Sequence, residues 1–142
     1  MVDGVESRTG VWLRYLRAWL PPLVTMATIL SLSSMRGSPI PTLSFPYADK
    51  LAHATIYAVY GALLLRALWL SSPRLAGVIV VVPVVLYVAG FGGIDEFYQG
   101  FVPHRTPEWL DWVADMSGGL VGALIMWRFR HWRGRTVPPP QP

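Results

Sequence analysis

The sequence predicts an all-α integral membrane protein, a four-helix bundle whose N- and C-termini are both cytoplasmic. Hydrophobic residues make up 53% of the 142 residues and charged residues only 14%. The mean hydropathy of +0.40 is too high for a soluble globular domain. Charges lie between long uncharged stretches, as expected where an unpaired charge near the bilayer centre costs several kcal/mol. Tryptophan, which favours the headgroup interface, lies at or near the ends of these stretches: Trp12, Trp19, Trp69, Trp109, Trp112, Trp127 and Trp132.

The first two apolar segments have about the length that a membrane-crossing helix needs, roughly 20 residues. Segment 16–32 contains Pro21 and Pro22, which we place near the start of the helix, where missing amide donors do least harm. Segment 51–70 carries Arg66 close enough to its end for the guanidinium to extend toward the headgroups. An alternative for the first segment is a cleaved signal peptide, because Ser31-Leu32-Ser33 follows an apolar run.

The third and fourth segments are less regular. Segment 75–91 is rich in valine, and although 78–86 has the composition of a buried strand, its neighbours favour a membrane helix. Segment 112–127 is the shortest and the one most interrupted by glycine and polar residues. Together the four segments predict a single membrane domain over residues 16–127.

The distribution of lysine and arginine predicts the orientation, because these residues are enriched in cytoplasmic loops. Most lie in the N-terminal segment, in the loop after the second span, and in the C-terminal tail: Arg8, Arg14, Arg17, Arg66, Arg74, Arg128, Arg130, Arg133 and Arg135. The other two loops offer only Arg36, Lys50 and Arg105. We therefore expect a cytoplasmic segment over 1–15 and a basic, proline-rich cytoplasmic tail over 128–142.

The charge and the cysteine content exclude several classes of binding site. The net charge of +4 does not indicate nucleic-acid binding, since the basic residues flank apolar segments. The chain has no cysteine, which excludes disulfides and thiolate metal sites. No established ligand spacing is present, so the sequence assigns no metal and no cofactor. A divalent cation on carboxylates remains chemically possible, with Asp95, Glu96, Asp111 and Asp115 as its ligands.

Polar residues gather on the predicted outer side of the membrane. Helical spacing places one set on a single face of the second span: Asp49, His53, Tyr57 and Tyr60. A second set follows the third span and enters the fourth: Asp95, Glu96, Gln99, Arg105, Asp111 and Asp115. Each of these has an ordinary structural explanation, such as a helix cap or a solvated helix end. We place His104, Glu108 and His131 at the surface.

Asp115 lies well inside the fourth segment, on a face that continues into Gly118 and Gly122. This Gly-x-x-x-Gly spacing permits close approach of another helix. A carboxylate inside a span must be paired, hydrogen-bonded or protonated. We therefore predict that Asp115 faces the bundle. Lys50, His53 and Arg105 could reach it, and His53 is favoured because it too lies within its span, with the contact direct or through water. We also predict that the eight polar residues share one cavity: Asp49, Lys50, His53, Asp95, Glu96, Arg105, Asp111 and Asp115.

The ordered combination of these motifs resembles the VanZ-like membrane proteins over about residues 45–125. The resemblance rests on Asp49-Lys50-x-x-His53-x-x-x-Tyr57, on Asp95-Glu96-x-x-Gln99, and then on Arg105, Asp111 and Asp115-x-x-Gly118. Many members carry asparagine where this chain has Asp115. The resemblance implies a multi-pass protein of the bacterial inner membrane and a role in the cell envelope. The family's namesake is associated with resistance to the glycopeptide teicoplanin.

The function expected is binding of an envelope lipid headgroup, a cell-wall precursor or the glycopeptide itself. The expected ligand-binding residues are Lys50, His53, Gln99, Arg105, Asp111 and Asp115, with the two cations holding a phosphate or carboxylate. The alternative is an enzyme that modifies such a substrate by acid–base or metal-assisted chemistry, with His53, Asp95, Glu96 and Asp115 as catalytic candidates. Proton- or ion-coupled transport is a third hypothesis, for which a homodimer would supply the path. Membrane lipids are the expected partners.

Overall fold

The computed structural model describes residues 8–35, 46–72, 74–75 and 77–136. It contains four α-helices, α1 (Arg8–Ser33), α2 (Ala48–Ser71), α3 (Val81–Gln99) and α4 (Trp109–Thr136), with a short 3₁₀ turn, Val78–Val80, leading into α3. No strand occurs in these ranges, so the all-α prediction is confirmed and the valine-rich segment is helical. Residues 1–7 and 137–142, the outer parts of the predicted termini, lie outside the described residues.

Three helices within the described part of the chain are long and apolar enough to cross a membrane: Gly10–Ser33, Ala48–Ser71 and Val78–Gln99. The fourth helix, α4, does not qualify by composition, because it carries Asp111 and Asp115 in its first half and Arg128 and Arg130 in its second. It joins the bundle by packing on α2 and α3.

Large apolar side chains cover the outside of the bundle, as expected for a protein surrounded by lipid. Leu86, Ile94 and Ile125 are 68%, 66% and 63% exposed, respectively. The core lies between the helices and includes Tyr57, Tyr60, Leu65, Val84 and Val88. This distribution supports a multi-pass membrane protein, because a soluble chain would bury most of this apolar surface.

The two prolines of α1 lie in the middle of the helix, not near its start, because α1 begins at Arg8. Pro21 has no amide hydrogen, so the carbonyl of Arg17 loses its usual partner one turn later. The Arg66 guanidinium of α2 lies 3.5 Å from that carbonyl oxygen and can donate to it. The proline is thus accommodated by a cation from the neighbouring helix.

Close contact between α2 and α4 depends on glycine. A Cβ built on Gly118 or Gly122 would collide with the backbone oxygens of Ala54 and Ala58 of α2, respectively. A Cβ on Gly61 of α2 would likewise collide with the Gly119 oxygen of α4. The predicted close-packing face of the fourth helix is therefore present, and it draws the polar N-terminal turns of α2 and α4 together.

The sequence underestimated the length of α4. We assigned residues from 128 onward to a tail, but the helix continues to Thr136. The guanidinium of Arg130 lies over the Trp69 ring of α2, 4.6 Å from its centre. The first part of the basic segment is therefore held against the bundle at the end of α2.

Candidate functional site

A cavity of about 310 Å³ opens where α1 and α3 end and where α2 and α4 begin. Its wall combines apolar side chains from α1 and α2 with polar side chains from all four helices and from the loop before α4. The lining residues that matter below are Ile29, Ser33, Asp49, His53, Ile56, Tyr57, Asp95, Gln99, Arg105, Glu108 and Asp111. The cavity is therefore amphipathic.

The structure brings the predicted polar residues together. Of the eight assigned to one cavity, five line it directly: Asp49, His53, Asp95, Arg105 and Asp111. The other three contact lining residues: Lys50 pairs with Asp111, Glu96 with Gln99, and Asp115 with His53. Asp95 and Glu96 are 1% and 6% exposed. They are therefore not solvated residues at a helix end, because α3 extends to Gln99 and turns both inward.

Lys50 is the centre of the first of two clusters. Its ammonium nitrogen donates to Asp49 Oδ2 at 2.7 Å and to Glu108 Oε2. It also lies 2.8 Å from Asp111 Oδ1. This contact is an ion pair, but its angles are not those of a hydrogen bond. We call Lys50, Asp49, Glu108 and Asp111 the lysine cluster. Its three carboxylates share one internal cation.

His53 is the centre of the second cluster. Its Nδ1 lies 2.9 Å from Asp115 Oδ1, and Asp115 is fully buried. The predicted contact between α2 and α4 is therefore confirmed. Ligand atoms of His53, Glu96 and Asp115 all lie within 4.8 Å of one another. We call these three residues, with neighbouring Asp95, the histidine cluster.

Two carboxylate oxygens of the histidine cluster are buried without a partner. Oδ1 of Asp95 and Oδ2 of Asp115 accept no hydrogen bond in the described structure. The other oxygen of Asp95 accepts from Ser33 at 2.7 Å and from Gln99 at 3.3 Å. Buried acceptors without donors are uncommon in folded proteins and often mark a site that holds a further group.

Glu96 and Arg105 connect the site to the ends of helices. Glu96 Oε2 accepts a hydrogen bond from the backbone N–H of Glu108 at 2.9 Å, immediately before α4. The Arg105 guanidinium donates to the carbonyls of Leu32 at 3.1 Å and Met35 at 3.4 Å, at the end of α1. Arg105 therefore has a helix-capping contact besides its place in the cavity wall.

Residues that line the cavity but were not predicted from the sequence include Ser33, His104 and Glu108. Ser33 was considered only as part of a signal-peptide cleavage motif, yet it is buried and donates to Asp95. Glu108 was placed at the surface, and it is half exposed, but it pairs with Lys50. Neither residue carries a helical spacing signal, because each lies on a different element from its partner. His104 is exposed but also lines the cavity, whereas His131 is exposed, as expected.

Comparison with known proteins agrees with the motif resemblance. A family model described as VanZ/LLP1 matches residues 6–130. The match extends beyond 45–125 and includes the first helix. No curated protein and no solved structure matches the chain significantly. Since the family model covers most of the chain and the helices have membrane-crossing length and composition, this is a multi-pass membrane protein of the VanZ/LLP1 family.

Proposed function

We propose that this protein resides in the bacterial inner membrane and binds the polar head of an envelope lipid or a lipid-linked cell-wall precursor. The observation that carries the proposal is the amphipathic wall of the cavity. Ile29 and Ile56 form part of its apolar side, and His53, Gln99 and Arg105 form part of its polar side. A ligand with a polar head and an apolar chain would match both sides.

The orientation is part of the proposal. Arginines are concentrated at the end of the bundle opposite the cavity, where α2 ends and α4 continues to Thr136. The positive-inside tendency places that end, and both termini, in the cytoplasm. The cavity would then face the outer side of the membrane, where cell-wall precursors and glycopeptides are met.

Reporter fusions test this orientation. A fusion after residue 140 should be active only with a reporter that works in the cytoplasm. A matched fusion in the loop after α3, at residue 103, should be active only with a reporter that works outside. The opposite pattern would overturn the orientation and would place the cavity on the cytoplasmic side.

The charge of the site indicates the kind of headgroup. Carboxylates outnumber the basic side chains, and Lys50 is already surrounded by three of them. A bare phosphate or carboxylate would be repelled here unless a cation accompanied it. We therefore favour a head that carries an amine or sugar hydroxyls, which can donate hydrogen bonds to the carboxylates.

Lipid analysis of the purified protein tests the binding. We expect the protein, extracted in mild detergent, to retain one lipid class above its abundance in the membrane. Ile56→Trp should reduce that enrichment at least fivefold by filling the apolar side of the cavity. The matched control is Val59→Trp, which changes a 51% exposed position on the same helix. Equal enrichment in both variants, or none in the parent, would contradict the proposal.

The His53–Asp115 contact supports a second candidate function. A buried carboxylate that orients an imidazole is an arrangement used in acid–base catalysis, and this imidazole lines the cavity. On this hypothesis the protein modifies or hydrolyses the lipid. The same mass spectrometry separates the two functions: a retained lipid that is chemically altered by the parent, but intact with His53→Ala, would indicate turnover.

A further inference from the structure

The histidine cluster has the ligands of a metal site. It offers one imidazole nitrogen from α2, one carboxylate from α3 and one from α4, with ligand atoms of His53, Glu96 and Asp115 within 4.8 Å of one another. An ion at their centre would lie at most about 2.8 Å from each atom. Zinc bonds to such ligands measure about 2.0–2.2 Å. Inward movements of about 0.6–0.8 Å would therefore bring all three atoms to bonding distance.

The unpartnered oxygens point independently to a bound cation. Asp115 is fully buried, and its Oδ2 has no hydrogen-bond partner in the described structure. That oxygen faces α3 at Gly92, where an added Cβ would lie 3.0 Å from it. Asp95 and Glu96 follow Gly92 by one helical turn on α3. Asp95, which is 1% exposed and precedes Glu96 in the chain, has the second unpartnered oxygen.

The charge balance favours a cation at the same place. Three buried carboxylates lie near one histidine, and Lys50, the described lysine at this end of the bundle, pairs with the other cluster. Arg105 donates to the end of α1 instead. Burying several like charges without compensation is strongly unfavourable. A divalent ion would supply the positive charge that Lys50 supplies in the lysine cluster.

We propose that His53, Glu96 and Asp115, with Asp95 beside them, bind a divalent transition-metal ion of the zinc or manganese type. The imidazole ligand favours these ions over calcium and magnesium, which prefer oxygen alone. His53 lines the cavity, so an open coordination position there would accept water or an oxygen of a bound molecule. This inference does not depend on the identity of the lipid.

Metal binding to the purified protein tests the proposal directly. The full chain, isolated with an affinity tag free of histidine and treated with EDTA, should bind one equivalent of Zn²⁺ by calorimetry. Co²⁺ in its place should give the intensified visible absorption of a four- or five-coordinate ion. Ca²⁺ and Mg²⁺ should bind at least tenfold more weakly. Zn²⁺ should also raise the melting temperature.

Variants connect the binding to the cluster. Asp115→Asn and Glu96→Gln should each weaken Zn²⁺ binding at least tenfold, while Glu108→Gln, in the lysine cluster, should leave it unchanged. If Asp115→Asn does not fold, the Glu96→Gln result and the Co²⁺ spectrum of the parent show whether the cluster binds the metal. Failure of the parent to bind Zn²⁺, binding that survives both cluster variants, or equal loss in Glu108→Gln would overturn the proposal. Lipid enrichment that persists without metal would leave the proposed function standing.

Discussion

The lysine cluster and the histidine cluster lie at the same end of the bundle, and both join α2 to α4. They differ in how their carboxylates are neutralised. In the lysine cluster one ammonium contacts three carboxylates, and the two outer ones, Asp49 and Glu108, are about half exposed. In the histidine cluster the carboxylates are almost fully buried, and two of their oxygens have no described partner.

From this difference we infer a structural role for the lysine cluster and a binding role for the histidine cluster. In the lysine cluster every carboxylate lies within ion-pair distance of the Lys50 ammonium, and water can reach the two outer ones. The histidine cluster is incomplete, because its acceptors exceed its donors among the described residues. Buried polar groups without hydrogen-bond partners are typical of sites that bind a ligand or a metal ion. We therefore expect the two clusters to respond differently to substitution.

The largest effect is expected at Asp115. Asp115→Ala removes the carboxylate that pairs with His53 and leaves a void, and breaking a buried pair costs about 3 kcal/mol. Asp115→Asn should be milder, since the amide keeps the shape and a hydrogen bond to the imidazole and removes one of several like charges. Thermal unfolding in detergent, monitored by tryptophan fluorescence, measures the stability of both variants. EDTA in the buffer removes any contribution from a bound metal ion. If neither variant changes expression, melting temperature or lipid enrichment, the coupled buried site does not exist.

A smaller effect is expected at Lys50. Lys50→Met leaves Asp111, whose side chain is 11% exposed, without its cation, whereas water can solvate the outer carboxylates. Because this exposure is intermediate, we expect the free energy of unfolding to fall by about 2 kcal/mol, a value between those for exposed and buried ion pairs. Adding Asp111→Asn to Lys50→Met should reverse most of the decrease in melting temperature. A double-mutant cycle measures this effect.

The control for Lys50 is Glu108→Gln, the smallest change in the series. Because the Glu108 side chain is 50% exposed, its ion pair with Lys50 should contribute less than about 1 kcal/mol to the free energy of unfolding. A drop in melting temperature after Glu108→Gln as large as that after Lys50→Met would break the comparison. The lysine cluster would then depend on all its pairs together and not on the burial of Asp111.

Much of the cavity wall could be predicted from the sequence, because helical spacing is local. Four residues were placed on one face from their numbers alone: Asp49, His53, Tyr57 and Tyr60. The first three line the cavity, whereas Tyr60 lies in the apolar core. The His53–Asp115 contact followed from the high cost of an unpaired charge inside a span. Ser33 and Glu108 were missed because their partners, Asp95 and Lys50, lie on other helices.

The sequence by itself determined that this chain forms apolar helices of membrane-crossing length, with the carboxylates of the helices at one end and most arginines at the other. These properties depend on composition and on the helical repeat, which neighbouring residues specify. Only the tertiary structure decided which carboxylates share a cation and which do not. That division depends on how closely α2, α3 and α4 approach, which the glycine contacts of α4 set across the bundle. Lys50 and His53 are one helical turn apart, yet only Lys50 pairs with several carboxylates at once.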